Sequence, residues 1–188
     1  MSAVSAPFGF RAAYNPSGVI RPRKYTIAGG YNTAIYAGNP VMLEGTGGTI
    51  TVGGTTGDLL GIFVGCEYID ASGKPTVSNF WPASQAIYSG SVPVAYVIDD
   101  YTTVFEVQNV GSVTQANIGE EANTTALSGS AATGLATTTL AAPNGTTQSQ
   151  WRIIGFGQQI DNVAGDAFTI VQVTLAQSQI AFANKVGV

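Results

Sequence analysis

The chain has 188 residues, 45% of them hydrophobic and only 10% charged, with 24 Gly, one Cys, no His and a formal net charge of −4. That length suits one domain with a real hydrophobic core. The missing His removes Ser-His-Asp and Cys-His catalysis and the commonest nitrogen ligand of zinc, and the single Cys removes a disulfide framework. Typical domains carry about 25% charged residues, so Thr, Ser, Asn, Gln and Gly must cover this surface. Such a surface is polar yet easily desolvated, which suits a chain that works against other protein. Met1 to Phe10 has no basic segment followed by an apolar one. The longest near-apolar run, Leu59 to Cys66, is too short to span a bilayer. The expectation is a soluble protein made and kept inside the cell, or released by lysis, without a membrane partner.

The charges are unevenly spread. Arg11, Arg21, Arg23 and Lys24 are four of the seven cations, and residues 1–24 contain no acid. The remainder holds three basic against eleven acidic residues, a net of −8. Pro7, Pro16 and Pro22 disfavour helix here. Residues 1–24 therefore read as an extended basic arm with the aromatic anchors Phe8, Phe10 and Tyr14.

Residues 25–188 then read as a β domain. Runs rich in Val, Ile, Thr, Tyr and Phe alternate with Gly, Asn and Asp punctuation. The pattern predicts strands at Tyr25–Ala28, Thr33–Ala37, Val41–Glu44, Thr49–Val52, Leu59–Ile69, Ala86–Tyr88, Val92–Ile98, Thr103–Gln108, Trp151–Phe156 and Phe168–Ala176. Thr49–Val52 alternates in the period of a half-buried strand, and Leu59–Ile69 is apolar on both faces, as in a strand covered on both sides. Asp99 to Thr102 has the length and chemistry of a hairpin loop. Residues 122–150 are Thr-rich and uncharged, and read as a surface excursion in preference to small edge strands. Ser178–Lys185 suits a short helix or a last strand. No 3.6-residue apolar stripe runs through any longer window, so the fold class is all-β, a sandwich or small barrel with an extended N-terminal arm.

Chemical motifs are weak. Gly45-Thr46-Gly47-Gly48 lacks the Lys and the following helix of a phosphate loop, and Asp99-Asp100 and Asp161/Asp166 are turn formers. Cys66 sits in an apolar strand without a base and reads as core. Asn123-Thr124 and Asn144-Gly145-Thr146 fit a glycosylation pattern, by chance without a secretory route. No cofactor, metal site or catalytic residue is expected. Trp81 and Trp151 divide evenly between an oligomer interface and core filling. The body's charge argues against direct nucleic-acid contact and for an acidic protein partner of the arm.

Pro7-Phe8-Gly9-Phe10-Arg11, Asn15-Pro16-Ser17-Gly18, Gly38-Asn39-Pro40-Val41, Leu60-Gly61-Ile62-Phe63-Val64-Gly65-Cys66, Val94 to Asp100 and Thr103 to Gln108 together resemble small structural proteins of tailed bacteriophages, of the capsid decoration (cement) type. The similarity covers most of residues 7–108 and, more loosely, Trp151–Leu175. It implies a non-enzymatic β protein on the exterior of the virion, binding the major capsid protein between capsomers and stabilising the shell, commonly as a homotrimer. Phe8, Phe10, Arg11, Tyr14, Arg21, Arg23 and Lys24 are then the expected capsid-gripping residues, and Trp81 and Trp151 the candidate oligomer interface. Two other readings stay open: another virion part, such as a tail-tube or fibre subunit, and a carbohydrate-binding module with Trp81 and Trp151 as sugar platforms.

Overall fold

The computed structural model describes residues 4–45 and 47–181. Among them there is no α-helix; fifteen short strands and one 3-10 turn, Gln115–Asn117, make an all-β molecule of two packed parts. The first part is a barrel. Its strands are β2 (Arg23–Ile27), β4 (Pro40–Leu43), β5 (Thr49–Val52), β6 (Gly61–Ile69) and β9 (Val94–Ile98). They pair in the order β4-β5-β2-β9-β6, and β6 returns to β4 through Pro40↔Ile62 and Val41↔Gly61, which closes the ring. Every pairing is antiparallel except β2 with β5. Beside that junction, β6 also runs hard against the end of β9. A Cβ on Gly61 would collide with the Ile98 carbonyl oxygen, so only glycine fits.

β7 (Pro75–Ser78) extends the barrel outward as a hairpin on β6, and a ribbon of β3 (Ile35–Tyr36) with β8 (Phe80–Trp81) lies beside it. The second part is an open five-stranded sheet. In order it contains β1 (Arg11–Tyr14), β10 (Val104–Gln108), β15 (Ile170–Leu175), β14 (Trp151–Phe156) and β11 (Glu121–Ala122). A further ribbon, β12 (Gly129–Ser130) with β13 (Leu135–Ala136), completes the strand set.

The parts share a wall. On β6, Ile62 packs into the core of the open sheet, whereas Phe63 and Cys66 pack inside the barrel; Ile98 and Val97 on β9 divide in the same way. Alternation of side chains along a strand produces this directly, and it explains why Leu59–Ile69 is apolar at nearly every position. The barrel core holds Ile27, Ile35, Phe63, Trp81 and Val97, and the sheet core Phe10, Phe105, Trp151, Ile153 and Val173.

Four sequence expectations are corrected. Residues 4–24 of the expected arm do not stand apart, because β1 pairs with β10 and β2 is a barrel stave, and residues 1–3 lie outside the described residues. A four-residue strand such as Arg11–Tyr14, with two alanines at its centre, carries little β signal of its own, and pairing with a partner far along the chain decides it. Asp99 to Thr102 does not close a hairpin: β9 belongs to the barrel and β10 to the open sheet, so the loop is the crossover between parts. Residues 122–150 are not an excursion, since Ala122, Thr124, Ala136, Thr138, Leu140 and Gln150 are buried and β11 to β13 run through them. Ala86–Tyr88 makes only a bridge, Asp70↔Ile87. Of the terminal element left open as a helix or a last strand, Ser178 makes a parallel β-bridge to Leu59, and residues 182–185 lie outside the described residues.

Candidate functional site

The crossover between the two parts builds the site. Asn15 follows β1, is 6% exposed, and organises two turns at once. Its Oδ1 accepts the Ser17 N–H at 2.8 Å, and its carbonyl accepts the Gly18 N–H at 2.8 Å. Gly18 takes φ +79°, a value that suits glycine. The Asn15 Nδ2 group donates to Asp100 Oδ2 and Thr103 Oγ1, each at 2.9 Å. The Pro16–Gly18 turn is therefore pinned to the crossover, 85 residues away in sequence.

The carboxylates beneath are already engaged. Asp99 is buried, accepts the Tyr25 hydroxyl at 2.6 Å and is paired with Arg23 Nη1 at 3.2 Å. Burial, and next the hydrogen bond to Asp99, push the Tyr25 hydroxyl up to about 12. The Asp99 charge raises the Arg23 guanidinium further. Asp100 is held below its usual range, chiefly by the Thr102 hydroxyl and then by the Thr102 N–H. The arrangement suits binding.

Above these groups lies a cleft of about 700 Å³ at the end of the barrel where β2 starts and β9 stops. Val19, Arg21, Arg23, Tyr101 and Ile180 line it over the Asp99–Asp100 floor. Val19 and Tyr101 are 49% and 44% exposed. The cleft thus presents exposed apolar surface at Val19 and Tyr101 beside the Arg21 guanidinium, while the Arg23 guanidinium is paired with Asp99.

Of the residues expected to grip a partner, the structure brings Arg21 and Arg23 to the cleft. Tyr14 is exposed nearby in sequence but does not line it. Arg11 lies at the far end of β1, with its guanidinium 4.7 Å from the centre of the half-buried Phe8 ring. Lys24 points to the other face of β2, paired with Glu67 at 3.1 Å and 5.5 Å from the Tyr96 ring centre. Phe10 is corrected outright: it is buried, stacked on Trp151 at 4.3 Å. So is the interface reading of the tryptophans. Trp81 and Trp151 are both fully buried, with Trp151 Nε1 donating to Thr124 Oγ1 at 2.9 Å and Trp81 Nε1 to the Tyr31 carbonyl at 3.3 Å. Neither offers a sugar platform or an oligomer contact.

Asn15, Val19, Tyr101 and Ile180 were not singled out from the sequence. The Asn-Pro-Ser-Gly run did carry the Asx-turn signal, but nothing local says what Asn15 would clamp. Cys66 is buried, and burial pushes its thiol up to about 12. Among the described residues no group of three or more Cys, Asp or Glu could hold a metal ion, and no helix is long and apolar enough to cross a membrane. No family model, curated protein or solved structure matches the chain.

Proposed function

We propose that the protein is a non-enzymatic structural component of a virion, a capsid decoration (cement) protein that sits on the exterior of a tailed-bacteriophage head as a homo-oligomer, trimeric by resemblance, and bridges copies of the major capsid protein. The observation that carries this reading is the braced cleft at the barrel mouth. Its anchors are Val19 and Tyr101, its cations Arg21 and Arg23, and its acids are satisfied inside the chain. A partner's loop with a carboxylate meets these groups without disturbing the fold. The low charge of the chain adds to the argument, because few ions must be stripped of water when a large surface is covered. Neither nucleic acid nor membrane enters the reading.

The test is binding of purified protein to emptied, expanded heads of the phage that encodes it, read by co-sedimentation. Saturable occupancy is expected. Arg21→Glu with Tyr101→Ala should lower affinity at least tenfold while circular dichroism stays unchanged. Absence of binding by the wild-type protein would overturn the reading, as would undiminished binding by the double variant for the cleft. A broad hydrolase screen should be blank.

A further inference from the structure

Asn144-Gly145 is the one Asn-Gly pair in the sequence, and both residues are exposed. The pair stands in an open cleft of about 550 Å³ at the β11 edge of the open sheet, beside Glu120, Glu121 and Arg152. The Asn144 side chain folds back over the following backbone. Its Oδ1 accepts both the Thr146 N–H and the Thr146 hydroxyl, each at 2.9 Å. The backbone of the residue is held as well: the Asn144 N–H donates to the Glu121 carbonyl at 2.7 Å, and the Asn144 carbonyl accepts the Glu121 N–H at 3.2 Å. The run that fits a glycosylation pattern is thus a closed Asx turn.

Glycine at 145 leaves its amide nitrogen open to approach, since no Cβ shields it. A carboxylate stands against it. The Glu120 Oε1 lies 3.0 Å from where a Cβ on residue 145 would be. Glu120 is fixed there by Asn117 Nδ2, which donates to its Oε2 at 2.9 Å, and by the Ile153 N–H, which donates to its carbonyl at 2.9 Å. Nucleophile, electrophile, base and two donors on the electrophile's oxygen are gathered at one turn. Those donors sit where negative charge develops when the Asn144 amide is attacked, and a base beside the Gly145 amide is what such an attack needs. Asn32, Asn109, Asn123 and Asn162 are each followed by Thr or Val, whose branched side chain crowds the same approach.

We propose that this turn deamidates itself, converting Asn144 to aspartate and iso-aspartate with Glu120 as the base. Glu120 takes the proton of the Gly145 amide, whose nitrogen attacks Asn144 Cγ, and charge gathers on Oδ1 under the two Thr146 donors. The Cγ–Nδ2 bond then breaks, the proton returns through Glu120 to the departing nitrogen, and ammonia leaves behind a five-membered imide. Water from the open cleft opens the ring, at Cγ to give aspartate or at the main-chain carbonyl to give iso-aspartate. The net exchange is one water taken up for one ammonia released. Each event adds a negative charge beside Glu120 and Glu121. In the iso-aspartate product the main chain runs through Cβ and Cγ, so the carbonyl that accepts the Glu121 N–H leaves the backbone. The open sheet loosens at its β11 edge while the barrel is untouched. The reaction runs once per chain and does not depend on the virion reading.

The experiment incubates the purified full chain in warm, mildly alkaline buffer and follows the Asn144 peptide by mass spectrometry, with enzymatic methylation to count iso-aspartate. Conversion should concentrate at Asn144, with Asn123 and Asn162 unchanged in the same digest. Glu120→Gln and Thr146→Val should each slow it at least threefold, and Gly145→Ala at least tenfold, with circular dichroism unchanged. In urea, where the turn is gone, Glu120→Gln and Thr146→Val should react at the wild-type rate. Hydrogen exchange of the converted protein should rise in residues 121–124 and stay flat in β2 and β9. Asn144 that persists, or conversion spread evenly over the asparagines, overturns the proposal. So does a folded Glu120→Gln protein that reacts at the wild-type rate, or one slowed equally with and without urea, which would make the effect one of sequence alone.

Discussion

The barrel and the open sheet solve the same problem differently. Each buries one tryptophan completely, Trp81 in the first and Trp151 in the second. The barrel is made almost entirely from one stretch of chain, Arg23 to Ile98, and closure leaves β7 as its exposed edge strand. The sheet gathers β1 from the start of the chain and β10, β11, β14 and β15 from its second half. It keeps an edge at β1 and another at β11. Its core is sealed partly by loops and the Thr-rich residues 122–150, with Leu140 and Thr124 packed or bonded around Trp151. Both parts rely on distant pairings, β2 with β9 in the barrel (Arg23↔Val97) and β10 with β15 in the sheet (Phe105↔Val173), but only the sheet must also reach back to the start of the chain for β1 (Arg11↔Glu106). The parts are joined by β6 and β9, whose alternate side chains serve both cores.

The strongest way to break this comparison is to hollow each core in turn. Trp81→Ala and Trp151→Ala should each cost about 3–5 kcal/mol, the range for large aromatic truncations. Because β6 lines both cores, urea denaturation followed by near-ultraviolet circular dichroism should show one shifted transition in either variant. Two separated transitions would mean that the barrel folds without the sheet. Removing residues 1–22 belongs in this class, since it deletes β1 and the Phe10 ring stacked on Trp151.

The closure point tests the barrel alone. Gly61→Ala should destabilise by about 3 kcal/mol, as a Cβ driven against the Ile98 carbonyl must displace backbone and not a flexible side chain. Equal stability to wild type in the same denaturation assay would show that β6 and the end of β9 pack more loosely at Gly61.

The seam comes next. Asn15→Ala strips the buried amide that joins the Pro16–Gly18 turn to Asp100 and Thr103. Leaving those partners short of a donor should cost about 1–3 kcal/mol. Amide hydrogen exchange should rise in residues 15–23 and 99–103 and stay unchanged in the β4–β5 hairpin. Uniform exchange across the molecule would argue that Asn15 does not hold the two parts together.

What could be read from the sequence follows the same division. Thr49–Val52 and Trp151–Phe156 fall on β5 and β14, and the remaining barrel strands begin or end within a few residues of their predicted bounds, because apolar alternation and turn residues are local signals. Arg11–Tyr14 and Pro75–Ser78 escaped, since edge strands with exposed side chains show no such period. The all-β class, sandwich or barrel, is what the chain forms. The site was legible only as a concentration of cations. Arg21 and Arg23 lie in the cleft, but Phe10 resembles an anchor in sequence and is core in the fold, because its partner Trp151 comes from the far half of the chain. Val19, Tyr101 and Ile180 meet only through the crossover, a long-range event that no local pattern announces.

The smallest expected effect separates the seam from the barrel by pH. Asp100 and Asp70 are both held below the ordinary carboxylate range, Asp100 chiefly by the Thr102 hydroxyl and Asp70 chiefly by the Ser72 hydroxyl. A carboxyl depressed in the folded state contributes stability above its unfolded pKa, near 3.9, and loses it as the pH falls through the lower folded value. The urea midpoint should therefore be flat from pH 7 to about 5 and decline below about 4. The two groups differ in reach. The Asp70 hydrogen bonds stay within its own turn, to Ser72 and Lys74, whereas Asp100 also accepts from Asn15 at the end of the other sheet. Protonating Asp70 frays one hairpin, but protonating Asp100 loosens the joint between the parts. Asp100→Asn should accordingly flatten the acid limb of the midpoint curve more than Asp70→Asn does. The reverse order would place the acid-sensitive contact in the β6–β7 hairpin and leave the crossover a passive link.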